Sequence, residues 1–127
     1  MAVTVTPIAD PISALGVWND TDAEGTAVNN IRPGATKLHV LDIDNAANGA
    51  VSYFKVYDSL GPTIGTTDPD WILPVAASGQ RTYLFTEDDV MGLTIANGIS
   101  YACVTAGGTA GTTNPTSAVI VDGVANA

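Results

Sequence analysis

The sequence predicts an all-β chain, a single-domain β-sandwich of jelly-roll-like character with extended terminal segments. Three observations lead there. Turn residues recur every few positions, with 13 glycines and 7 prolines among 127 residues. The apolar residues between them are largely Val, Ile and Leu, and helix-start signals are scarce. Short β-branched runs bounded by Gly, Pro, Asn and Asp mark strands, because branched side chains fit a pleated surface and the turn residues supply the reversals. A chain of this length suits one core. We divide it into an N-terminal extended arm over 1–12 and a β-sandwich domain over 13–127.

The elements follow in order. Strands are expected near 2–6, 13–18, 26–31, 36–43, 50–57, 70–75, 80–86, 98–105 and 117–122. Side-chain alternation supports them: Arg81, Tyr83 and Phe85 share one face of "RTYLF", and Ile99, Tyr101 and Cys103 share one face of "ISYACVT". In "TKLHVLDI" the apolar phase shifts, with Leu38 and Val40 on one parity and Leu41 and Ile43 on the other. Such a shift predicts a β-bulge or a strand crossing between sheets. The stretch "TEDDVMGL" (86–93) is the one candidate helical turn, with Thr86 as N-cap and acidic residues in its first turn.

Composition excludes several classes. Hydrophobic residues make up 46% and charged residues only 13%, about half the usual charged share. A surface covered instead by Thr, Ser, Asn, Gly and Ala is cheap to desolvate and suits packing against another protein. Net charge is −9, and the cations are confined to Arg32, Lys37, Lys55 and Arg81. That is too few to replace counterions along nucleic-acid phosphates or to hold an anionic membrane. The opening "MAVTVTPIADP" lacks a basic n-region and a continuous apolar stretch, so it reads as something other than a secretory signal. Cys103 is the single cysteine, which leaves no internal disulfide and no multi-cysteine zinc site. Intracellular assembly is expected.

Candidate chemistry is thin. Cys103 lies in a predicted strand between Ala102 and Val104 and reads as a small buried apolar side chain. His39, the single histidine, alternates with Leu38 and Val40 and is expected to face solvent or a subunit boundary; no triad spacing accompanies it. "GGTAGTT" (107–113) lacks the lysine a phosphate loop requires. The acidic clusters are the calcium candidates. Asp20, Asp22 and Glu24 occupy the first, third and fifth positions of an EF-hand-like loop whose twelfth position is Ile31, and Asp42 and Asp44 share one strand face before "NAANGA". Solvated acidic turns are the plainer reading of both, and no cofactor is assigned. The aromatics, falling inside strands, are expected to fill the core, with Trp71 as the one to watch for partner contact.

The pentapeptide "GTTDP" at 65–69 recurs as "GTTNP" at 111–115. Each follows a strand and a Gly-containing loop and precedes another strand. Asp68 and Asn114 can bond their own backbone, and Pro69 and Pro115 hold them extended. Two similar sandwich-end loops, scaffold in role, explain the repeat more simply than an internal duplication.

The stretches "YFKVYD" (53–58), "TIGTTDPDWILPVAASG" (63–79) and "GISYACVTAGGTAGTTNP" (98–115) together resemble a group of small tailed-phage virion proteins. The resemblance implies a β-rich, non-enzymatic virion structural protein, a capsid decoration or cement protein on the outer capsid surface, assembled in the host cytoplasm. Its implied partners are the major capsid protein and neighbouring copies of itself, in a homo-oligomer such as a trimer. Competing expectations are a receptor- or carbohydrate-binding module of a tail or fibre, a neck or tail component, and a small hydrolase with paired carboxylates. The interface candidates are Val3, Val5, Ile8, Trp71, Thr112, Thr113, Val119 and Val121. The alternating Val/Thr and Val/Ile texture of the two ends suits addition to a neighbour's sheet edge.

Overall fold

The computed structural model describes residues 3–7, 15–87 and 90–126. Among them lie twelve strands: β1 (Val3–Pro7), β2 (Leu15–Ala23), β3 (Val28–Pro33), β4 (Thr36–Asp44), β5 (Ser52–Asp58), β6 (Trp71–Val75), β7 (Gln80–Leu84), β8 (Thr86–Glu87), β9 (Val90–Met91), β10 (Leu93–Ile95), β11 (Gly98–Val104) and β12 (Val119–Asn126). They form two sheets and a small ribbon. Sheet A has the order β1-β2-β12-β4-β10, with β7 also pairing β4; sheet B has the order β3-β11-β5-β6; β8 pairs β9.

The pairings nest. β2 pairs β12, β3 pairs β11, β4 pairs β7 and β5 pairs β6, all antiparallel. This is one long hairpin with its tip at the β5–β6 connection. It is rolled so that successive rungs fall alternately on sheet A and sheet B, which makes the sandwich a jelly roll. All nine expected strands have counterparts.

The core lies between the sheets. Trp18, Leu38, Leu41, Ile43, Val121 and Ala125 from sheet A meet Ile31, Phe54, Val56, Val75, Ile99 and Tyr101 from sheet B. The rings of Phe54 and Tyr101 are 4.8 Å apart. The phase shift in β4 is a bulge: Val40 sits opposite Val124, yet Leu38 sits opposite Ala125. His39 is the extra residue, and its insertion lets Leu38 and Leu41 both point inward.

One local expectation fails. The described residues of "TEDDVMGL" form no helical turn; Thr86 pairs Met91 and Glu87 pairs Val90 as a ribbon. Gly92, at φ +100°, turns the chain back, and its N–H donates to Phe85 O at 2.8 Å. Glu87 accepts from the Thr94 N–H at 2.8 Å, so its carboxylate caps a strand.

The two terminal strands, β1 and β12, both belong to this chain's own sheet A. β1 is the edge strand beside β2. β12 is flanked by β2 and β4 and has no free edge.

Candidate interaction face

Alternation gives each sheet an inner and an outer face, and the two outer faces differ. From sheet B, Lys55 and Tyr57 of β5 and Ser100, Ala102 and Val104 of β11 point away from the core and are nevertheless fully buried. Two long connections cover them, 59–70 and 105–118. The Ser100 hydroxyl donates to Ser59 O at 2.6 Å. The Lys55 ammonium donates to Gly111 O at 2.9 Å and Thr109 O at 3.5 Å. Burial pushes the Lys55 pKa down, because the charged form loses its hydration.

The repeated motifs clasp this cover. Thr109 donates to Asp68, so the two loops are joined. Asn114 accepts from the Gly25 N–H at 2.9 Å and donates to Glu24 at 3.2 Å, tying the second loop to the β2–β3 turn. Thr112 lies so close to Gly65 that a Cβ there would sit 2.7 Å from its methyl carbon. Both phrases thus supply contacts that join the covering loops to each other and to the β2–β3 turn. Beyond them the chain diverges: β6 pairs its own β5, whereas β12 leaves for the other sheet.

Among the described residues, sheet A has no such cover. Val17, Val124, Val40 and Leu84 are successive cross-strand partners and form an apolar stripe across four strands. Leu84 is 69% exposed. Beside the stripe runs a polar row, Thr4, Asn19, Asp122, Asp42 and Thr82, again successive partners. The two rows enclose a groove of about 310 Å³, with Val17, Val40 and Val124 as its apolar lining and Asp42 and Asp122 on its polar side. Asn19 donates to Asp122 at 2.7 Å; Gln80 and Thr82 donate to Asp42 at 2.9 and 3.2 Å. All these donors are neutral.

None of the four cations lies on either row. Arg32 and Lys55 belong to sheet B. Arg81 stacks over Tyr83 at 4.6 Å, and Lys37 pairs Thr94 at the β10 end. Two carboxylates directly opposite one another therefore face solvent without a neutralising partner, an arrangement that costs stability.

The calcium candidates do not converge. The sequence pattern places Asp20, Asp22 and Glu24 in a loop, but β2 runs through Ala23. Asp20 is buried in the core, accepting from the Tyr101 hydroxyl at 2.8 Å and from the Asp22 N–H at 2.9 Å. Asp22 is exposed and Glu24 is bound to Asn114. Asp42 is held as described, and Asp44 accepts from the Ala46 N–H at 2.9 Å. Among the described residues no three His, Cys, Asp or Glu side chains gather as a metal site.

The nucleophile candidates are separated. Cys103 is fully buried, and burial, with the Asp20 charge adding to it, pushes its thiol up to about 12. His39 is on the outer side of sheet A, its Nε2 2.8 Å from Asn126 Oδ1. None of the eight aromatics is exposed, including Trp71, which packs against the core from the end of β6.

The interface candidates scatter. Val5 is 46% exposed on the edge strand and Val3 packs against the core. Ile8 lies outside the described residues. Thr112 and Thr113 are exposed on the cover of sheet B. Val119 and Val121 require correction: both are fully buried, because they point from β12 into the core between the sheets. Sequence reasoning missed Val17, Asn19, Leu84, Asp122 and Val124. Their alternation was visible, but nothing local distinguishes a bare outer face from a covered one.

No family model matches the chain, and no curated protein matches it in sequence. Among solved structures, the Drosophila melanogaster CENP-C cupin domain is similar at 9% identity and a TM-score of 0.26, over 91% of this chain and 62% of that one. Drosophila melanogaster CENP-C bound to CAL1 is similar at 9% identity and a TM-score of 0.22, over 91% and 68%. This chain thus spans less than two thirds of the first of these, and at such scores the likeness carries no argument about function.

Proposed function

We propose that this chain is a non-enzymatic phage virion structural protein, a capsid decoration protein that binds across major capsid protein subunits and reinforces the shell together with neighbouring copies of itself. One observation carries the reading: among the described residues the jelly roll leaves one sheet face bare, with an apolar stripe beside unneutralised carboxylates. Apolar contact contributes on the order of 25 cal/mol per Å² before ordering costs, and repetition over a lattice multiplies weak contacts. Net charge of −9 keeps free subunits apart and steers them toward basic patches. The buried thiol and the separated His39 supply no nucleophile–base pair, and the absence of an exposed aromatic among the eight counts against a sugar-stacking platform.

Quantitative gel densitometry of purified particles against the major shell protein tests this. The chain is expected in numbers that track the shell subunits. About a dozen copies per particle would assign it to the neck or tail, whose symmetry sets that count, and its absence from particles would overturn the reading.

A further inference from the structure

The geometry points to a specific occupant of the sheet A groove: an arginine side chain presented by the partner protein. This rests on the reading that the chain docks on another protein through this face. The groove joins two chemistries in one depression of about 310 Å³. Val17, Val40 and Val124 give a surface for an aliphatic stem, and Asp122 and Asp42 stand opposite each other on adjacent strands at its polar side. Directly opposed residues place their Cβ atoms about 4.5–5.5 Å apart, a span that a planar guanidinium with five N–H donors can bridge. An ammonium is a point charge and matches one carboxylate at a time.

Charge complementarity selects the partner. The Asp42 and Asp122 carboxylates hold only amide and hydroxyl donors, so a cation gains two ionic hydrogen bonds and relieves their mutual repulsion. A second copy of this chain is a poor donor. Its net charge is −9, its Arg32 Nε is buried, its Arg81 is stacked on Tyr83 and its Lys55 is buried under loops. Stems of long cations lie along apolar surface with the charged head at its rim, which is the order of residues in the groove.

The test uses the full chain and two probes, N-acetyl-arginine methylamide and its neutral isostere N-acetyl-citrulline methylamide, followed by methyl-detected NMR. The arginine probe is expected to shift the Val17, Val40 and Val124 methyl signals saturably, and the citrulline probe to leave them unmoved. Asp42→Asn/Asp122→Asn should weaken arginine binding at least tenfold while keeping a dispersed spectrum, since it removes a repulsive pair. Val124→Lys, placing a resident cation in the groove, should abolish binding. Equal shifts from both probes, or no saturable shift, overturn the assignment. Co-sedimentation with shells lacking the chain separates this from the docking reading. If the arginine probe binds but the wild-type chain does not co-sediment, the groove stands and decoration falls. If the chain co-sediments and Asp42→Asn/Asp122→Asn does so with equal affinity, decoration stands and the groove falls.

Discussion

The outer faces of the two sheets come from the same kind of strand and meet opposite environments. On sheet B, even a lysine and a tyrosine that point outward are fully buried. On sheet A, a row of valines ending in Leu84 is left partly or largely open. Connection length makes the difference. The segments 59–70 and 105–118 follow strands of sheet B and fold back over them, whereas the β2–β3, β3–β4 and β4–β5 links turn at the ends of the sandwich. Among the described residues no loop reaches the outer face of sheet A, and its apolar content is a separate matter.

The contrast can be broken most forcefully by a charge on each face. Val104→Asp places an unpaired carboxylate beneath the cover and is expected to cost about 3–5 kcal/mol in chemical denaturation. Val124→Asp, on the open face, should cost less than about 1 kcal/mol. Equal costs would mean that the two faces are not differently covered.

Next in size is the clasp itself. Gly25→Ala sets a Cβ 2.6 Å from both Asn114 Oδ1 and Thr112 O, so the cover must shift, and a loss of about 1–3 kcal/mol is expected. Gly49→Ala, with nothing within 4 Å, should be close to neutral in the same assay.

The two repeated motifs then separate by their partners. Asn114→Ala removes the acceptor of the Gly25 N–H and the donor to Glu24, for about 1–2 kcal/mol. Asp68→Ala removes one exposed bond to Thr109 and should cost under about 1 kcal/mol. Thermal melts of the two variants rank them directly.

Smaller still is a pH effect at the base of the cover. Burial alone would raise the Asp58 pKa, but the N–H groups of Ala96, Asn97 and Gly98 donate to its carboxylate and hold it below the ordinary value. A depressed folded-state pKa means that stability is present above the unfolded value and lost as pH falls through the folded one. Asp58→Asn should therefore flatten the acid limb of the stability profile and leave its alkaline limb unchanged. Smallest in stability is Leu84→Ser, expected within about 0.5 kcal/mol of wild type, yet measurably weaker in particle co-sedimentation because it shortens the open stripe.

Much of the fold was legible in the residues because the determining physics is local. β-branched runs between Gly, Pro, Asn and Asp place every long strand, and the parity change across Leu38–Leu41 marks the bulge in β4. Cys103 reads correctly as a core residue for the same reason: its neighbours alternate with it. Local cues misled where a longer-range partner overrode them. Thr86 and Glu87 look like a helix start, yet the ribbon and the Thr94 N–H claim them. Asp20 looks like a loop ligand, yet Tyr101, 81 positions away, receives it in the core.

By itself, then, the order of residues determined strand content, the alternation within each strand and the turn chemistry of the repeated loops. Tertiary structure alone decided that β12 lies between β2 and β4, that Val119 and Val121 face the covered core, and that Asp42 and Asp122 stand side by side on an open groove. The physical reason is that alternation assigns a side chain to one of two faces and is silent on which face another layer will cover. That outcome depends on pairings and loop placements between residues far apart in the chain.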